Sequence, residues 1–346
     1  MMFWQGIVLT ALVSLLMTWL LRRYALARSI IDIPNTRSSH TVPTPRGGGV
    51  AIVVSFLLAL PVLALTGFLP WSATWAMLGA GTVIAVLGFL DDHGHIAARW
   101  RLLGHFAASV WALFWLGGLP AITLFGFNVE LGWLGHILAV FYLVWMLNLY
   151  NFMDGIDGIA SLEAMCACMG ASLLYWLAGF GDLIVLPLLL AAAVAGFLYW
   201  NFPPARIFMG DAGSGFLGII LGLLTLQAAW ASPVLLWAWL ILLGVFIVDA
   251  TVTLIRRLLR GDKVYEAHRS HAYQFASRHY GRHLPVTLAV TVINLFWLLP
   301  IAMCVVLWGL DGTFGLLLAY LPLIVLAIKF DAGGLERTDG PRIHPG

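Results

Sequence analysis

Charge is what this chain has least of. Only 10% of its 346 residues are Asp, Glu, Lys or Arg, against 62% hydrophobic, and its mean hydropathy is +0.96. A soluble globule needs a charged surface, so that class is excluded; the composition is that of a chain crossing a membrane many times. Cysteine is scarce too. Cys166, Cys168 and Cys304 stand in apolar runs without ligand spacing, so no disulfide framework or thiolate metal site is expected and they read as small packing residues. No polar stretch is long enough for a soluble domain and no repeat is visible, so 1–346 reads as one transmembrane domain. The net charge of +2 is uninformative, and no nucleic-acid partner is expected.

What the chain does have is long apolar runs, at roughly 2–22, 47–67, 73–90, 102–117, 132–150, 159–178, 183–200, 212–230, 233–255, 285–308 and 313–329. They predict an all-α polytopic membrane protein with about 11 spans. Segment 118–131 reads as a short apolar outer loop or a re-entrant piece. Trp71, Trp75, Trp133, Trp230 and Trp308 fall near run ends, as interfacial belts do. The first run has no basic residue before it, while Arg22 and Arg23 follow it, which suits a retained helix rather than a signal peptide.

The few cations are sorted. They fall at 22–46 (five), 99–101 (two), 206 (one), 256–282 (seven) and 329–342 (three), each group at the end of an odd-numbered run or in the loop after it. The opposite loops carry only Glu130, Asp182 and Asp311. Cytoplasmic loops are enriched in Lys and Arg, so five polar loops and the C-terminus are placed in the cytoplasm and the N-terminus outside.

On that face, NLYNFMDGIDGIA (148–160) sets Asn148, Asn151, Asp154 and Asp157 three residues apart, with Gly155 and Gly158 after the acids. Carboxylates and carboxamides at the mouth of a membrane helix are costly, so a functional task is the first reading and plain helix capping the second. A straight helix would spread the four around half its circumference. A helix end, a polar turn and a new helix start would let them converge on one bound group.

The neighbouring loops add to this. Asp91 and Asp92 end a helix, where the dipole and their mutual repulsion call for a nearby cation or a shared proton. His93 and His95 read as solvated loop residues. In IPNTRSSHTVPTPRGGG, an irregular lid, His40 and Arg46 could meet an anion. Asn201 to Gly218 places Asp211 at a helix start among Gly210, Gly213, Ser214 and Gly215, where backbone N–H groups can approach a phosphate. The last loop carries His268 and His271 three apart, sharing a face if helical. Oxygen donors suit Mg²⁺ and the basic groups suit a diphosphate, which together point to phosphoryl transfer at the membrane surface.

The motifs DD, NxxNxxDGxDG, NxPxxxxFMGDAGS and HRSHAYQ, in this order and within roughly residues 30 to 285, resemble those of the polyprenyl-phosphate N-acetylhexosamine-1-phosphate transferases. The resemblance implies transfer of a sugar-1-phosphate from a UDP-amino sugar to undecaprenyl phosphate with Mg²⁺, or Mn²⁺ in its place, at the bacterial inner membrane. It admits a homodimer, since such enzymes are often dimers. It implies that Asp211 is the main metal ligand and Asn151 its companion. Asp91 and Asp92 match a pair that engages the lipid phosphate as base or in positioning. Asp154, Asp157, Asn148 and Asn201 match nucleotide and metal-site residues. Phe208 matches a ring stacking on uracil, Arg46 lies in a first-loop motif, and His268, Arg269 and His271 would hold diphosphate oxygens. The peptidoglycan members carry three adjacent histidines where this chain has HRSH. The resemblance is therefore to the lipopolysaccharide and O-antigen branch, with UDP-GlcNAc, UDP-QuiNAc or UDP-FucNAc as donor. Two other classes compete: an ion-coupled transporter, whose acids lie nearer the midplane, and an intramembrane aspartyl protease, suggested by Gly210–Asp211.

Overall fold

The computed structural model describes residues 2–34, 42–94, 96–263 and 268–335. His40 and His95 lie outside them. Fourteen α-helices carry the chain: α1 (Met2–Ala27), α2 (Val50–Leu65), α3 (Trp71–His93), α4 (Ala98–Leu116), α5 (Gly132–Met153), α6 (Ile159–Leu177), α7 (Val185–Asn201), α8 (Asp211–Ala231), α9 (Pro233–Leu242), α10 (Gly244–Leu259), α11 (Ala272–Tyr280), α12 (Leu284–Ile293), α13 (Leu299–Leu307) and α14 (Gly312–Lys329). Two small antiparallel strand pairs accompany them, β1 (Ile31–Asp32) with β2 (Thr44–Pro45) and the hairpin of β3 (Ile122–Leu124) with β4 (Phe127–Val129). That hairpin is what the apolar 118–131 segment forms.

Each apolar run contains helix, but the count of eleven spans is not reproduced. Among the described residues eight helices are long and apolar enough to cross a membrane, or nine if the bent pair α9–α10 is one span. The physical reasons are specific. Helix α2 has only 16 residues. Helix α4 opens with Arg99 and Arg101, whose charges shorten its apolar part. The run read as 233–255 breaks at Leu243, where α9 and α10 meet at 71°. By contrast α12 runs through one π-helical turn, Asn294–Leu298, into α13 as a single span.

Helix α8 is the centre. Every residue from Ala212 to Leu226 is buried, and the helix packs against α3, α5 and α9. Lipid supplies no hydrophobic drive between helices, so close packing must hold them, and small residues permit it. A Cβ on Gly218 would stand 2.5 Å from the Leu147 Cα of α5, so the two backbones nearly touch there. The outer helices turn Leu9, Leu16, Phe114, Phe141 and Leu321 outward, exposed, as a lipid-facing surface requires. Arg46, Asp92, Asp154, Asn201 and Asp211 all lie at one end of the bundle, where they meet one another or share neighbours.

Candidate active site

The site is built where α2, α3, α5 and α8 begin or end. Gly210 has φ 80°, a left-handed conformation that a side chain disfavours, and it turns the chain into α8. The first two amides of that helix, on Asp211 and Ala212, donate to the Asp92 carboxylate at 3.1 and 3.4 Å. Asp92 thus caps α8 from the end of α3, opposing its own unfavourable position at a helix C-terminus with a favourable one at an N-terminus.

Arg46 is brought in by backbone pairing. Phe208 N–H donates to Pro45 O at 2.8 Å, and Gly48 N–H and Gly49 N–H donate to the carbonyls of Phe208 and Met209, each at 2.9 Å. The segment before α2 is therefore laced to the FMGD segment. The guanidinium then bridges two helices, 2.5 Å from Asp211 and 3.0 Å from Asp92. Burial alone would lower its pKa; Asp211 and Asp92 more than reverse that and raise it. Asp154 is half-buried nearby. Burial, together with the charges of Asp211, Asp92 and Asp157, raises its pKa well above the usual carboxylate value, against the pull of Arg46.

Beside this cluster opens a cleft with about 350 Å³ of empty space, lined among others by Asp91, Arg101, His105, Asn148, Asn151 and Asp211. Asp91 faces it, accepting from Ile96 N–H at 2.9 Å and paired with Arg101. Asn151 donates to Ser214 Oγ at 2.9 Å, which leaves its amide oxygen for another partner. Asn148 donates back to Val144 O at 2.7 Å and meets His105 Nδ1 at 3.3 Å.

The 148–160 stretch is the helix end, turn and helix start that its spacing predicts: α5 stops at Met153 and α6 starts at Ile159. Its four polar residues do not share one partner. Asn148 and Asn151 line the cleft and Asp154 joins the field of Arg46. Asp157 instead accepts from Ala205 N–H at 3.0 Å and faces His283 at 3.1 Å. Asn201 bridges Gly158 N–H and Ile207 O, each at 3.0 Å. These two side chains tie loops together, and neither lines the cleft.

The histidine segment forms a second polar group. His271 immediately precedes α11 and His268 lies before it outside any helix, so no helical face is shared; their rings stack all the same, with centroids 4.9 Å apart. Phe152 lies within 6.4 Å of both. Burial first, then His271 and Arg257, hold the His268 pKa down at about 3, so that imidazole is neutral at physiological pH. None of the three lines the cleft. Phe208 is half-buried, its backbone paired with Pro45 and Gly48 on either side of Arg46.

Sequence reasoning gave Arg101 no role beyond anchoring its helix, counted Ser214 only among the small residues around Asp211, and passed over His283 and Asp249. The last is an acid in the apolar α10, buried to 6% exposure, and an ionisable residue in such a run was its one available signal.

A divalent cation fits this donor set. Among the described residues no three His, Cys, Asp or Glu side chains gather as a metal cage, but Mg²⁺ is held by one or two carboxylates, with substrate phosphates and water completing six oxygens. Asp211 and Asn151, both on the cleft, supply that minimum.

Gly88 of α3 permits the whole arrangement. A Cβ there would stand 2.5 Å from Ala212 N and Asp211 O. Gly88→Ala is expected to push the start of α8 away from Asp92. Activity should fall at least about tenfold, beyond any fall in expression, because a displacement near 1 Å costs up to about 100-fold. Unchanged turnover would show that α8 need not touch α3.

Residues 74–229 match the family model described as Glycosyl transferase family 4. The chain is 30% identical over 272 residues to a probable undecaprenyl-phosphate N-acetylglucosaminyl 1-phosphate transferase of Bacillus subtilis, covering 77% of this chain and 75% of that protein. It is 31% identical to the decaprenyl-phosphate N-acetylglucosaminephosphotransferase of Mycolicibacterium smegmatis, over 75% of this chain and 73% of the relative. To the phospho-N-acetylmuramoyl-pentapeptide-transferase of Streptococcus mutans it is 33% identical, over 54% of this chain and 60% of the relative.

Proposed function

This chain belongs to glycosyl transferase family 4, and from that premise we propose that it transfers an N-acetylhexosamine-1-phosphate from a UDP-sugar to undecaprenyl phosphate, releasing UMP. The observation that carries the reading is Arg46 clasped by Asp211 and Asp92 at the edge of a cleft that also exposes Asp91 and Asn151. Nothing favours the ion-coupled transporter. Names of relatives support an N-acetylglucosamine donor, and the HRSH segment supports UDP-GlcNAc or its 6-deoxy relatives UDP-QuiNAc and UDP-FucNAc in an O-antigen-type pathway. Cation placement supports a cytoplasmic site in the inner membrane, with the N-terminus periplasmic; a homodimer is part of the same proposal.

In this reading the lipid phosphate oxygen attacks the β-phosphorus of the UDP-sugar, and UMP leaves with the electron pair of the broken P–O bond. Asp91, on the cleft, positions or deprotonates the acceptor. Asp92 holds Arg46 and the start of α8 in register. Asp211 and Asn151 would hold Mg²⁺ or Mn²⁺, which when bound neutralises charge on the diphosphate. Arg46 supplies a second, fixed positive charge, and Asp154 stands within its field. His268 offers a neutral imidazole, with Arg269 and His271 beside it as partners for diphosphate oxygens.

The test is direct. Purified protein with undecaprenyl phosphate and Mg²⁺ should release UMP from one of the three UDP-amino sugars, with inversion at phosphorus. Retention would indicate a covalent aspartyl-phosphate route instead, and no UMP from any donor would overturn the reading. Phe208→Ala should raise the donor KM more than it lowers kcat, because lost stacking on uracil removes about 1–3 kcal/mol of binding; an unchanged KM would remove Phe208 from the donor site.

A further inference from the structure

We propose that Asp249 is a positioning residue for His271, fixing which imidazole nitrogen carries the proton. The proposal rests on the transferase reading for its consequences and on the geometry for its content. Asp249 accepts from Ala272 N–H at 2.9 Å and Tyr273 N–H at 3.0 Å, the first two amides of α11, and from Thr253 Oγ1 at 3.2 Å. Three donors from two helices pin the carboxylate. Its Oδ1 then stands 3.4 Å from His271 Nδ1. His271 is 2% exposed; its side chain faces the Gln274 N–H in a capping box, that N–H donates to the His271 carbonyl at 3.1 Å, and neither ring nitrogen completes a hydrogen bond.

A buried imidazole without a partner is costly; of the two groups facing it, the Gln274 N–H already has the His271 carbonyl, and the Asp249 carboxylate is the acceptor left to satisfy the ring. A carboxylate accepts and cannot donate, so closing the 3.4 Å gap requires the proton on Nδ1. Nε2 then keeps its lone pair as an acceptor, or binds a second proton and becomes a charged donor. The ring sits against Phe152 and His268, at the end of α5 that carries Asn151. The helix cap and the histidine are therefore served by one carboxylate: wherever α11 docks on α10, His271 is delivered in a single orientation. Ser270, one residue earlier, is held independently by Gly333 N–H, which donates to its carbonyl at 2.6 Å.

The test separates orientation from capping. Asp249→Asn keeps an oxygen that can cap α11 but loses the charge and the obligatory acceptor. It should lower kcat on the order of 10- to 100-fold, with little change in donor KM. In a His271→Gln background the same change should cost less than about twofold, and Asp249→Glu should restore part of the loss. An equal loss in both backgrounds would reduce Asp249 to a helix cap and overturn the proposal. If Asp249→Asn does not insert, ¹⁵N-histidine NMR of the wild-type protein decides alone. The His271 signal, assigned by its absence in His271→Gln, should show the Nδ1–H tautomer above its titration; the Nε2–H tautomer would refute the idea. That reading needs no substrate, so it stands or falls separately from the transferase assay.

Discussion

Asp211→Asn should abolish turnover, lowering kcat by about 10²–10³ or more while leaving the protein inserted and monodisperse. The size follows from how much converges on one carboxylate. Asp211 is the first residue of α8, it pairs with Arg46 at 2.5 Å and it faces the cleft. Neutralising it removes the only ionised donor of the proposed metal pair. Stability should change little. Asp211 remains partly exposed, Arg46 keeps its bond to Asp92, and the cap on α8 comes from Asp92 rather than from Asp211 itself. UMP release, beside size-exclusion profile and thermal midpoint, measures both halves. Full activity would take Asp211 out of the metal site, and loss of the folded protein would assign it to the scaffold.

The second large effect separates two adjacent acids that the sequence presents as a pair. Asp91→Asn should reduce kcat/KM by about 10²–10⁴, the range of a lost general base, far beyond the modest loss of stability that weakening its pair with Arg101 brings. Asp92→Asn should instead destabilise the protein by about 1–2 kcal/mol, because its side chain is 4% exposed, caps α8 and holds Arg46. Its activity should fall as a consequence, and lower temperature should recover part of it. If Asp92→Asn were inactive at full stability and Asp91→Asn stable and active, the two roles would be exchanged.

That division is a fair measure of what the sequence could convey. Acids and amides at helix mouths are visible as polar letters in apolar text, so the location of the site, its residue types and the helix–turn–helix around 154–158 were legible. So was Asp211 at a helix start. Partners were not. Nothing in DD tells that one acid faces the cleft and the other reaches α8, since neighbours on a helix diverge by 100° and the destination depends on which helix lies on each side. Asp157 shares a motif with Asp154 and Asn201 opens the next one, yet both tie loops together because Ala205 and Gly158 happen to present amides to them. Asp249 was missed because its function lies in an amide pair 23 residues away. The count of eleven spans is likewise not reproduced among the described residues. Hydropathy registers apolar content but does not register the 71° turn between α9 and α10.

The first residue of α8 takes part in the proposed chemistry, and the rest of that helix is the part of the molecule most deeply enclosed. A rod gripped on nearly all sides cannot tilt at one tip without disturbing every neighbour along its length. Warmth or harsh detergent should therefore not disarm this protein while leaving its shape intact: competence and compactness are properties of the same rod and should vanish together.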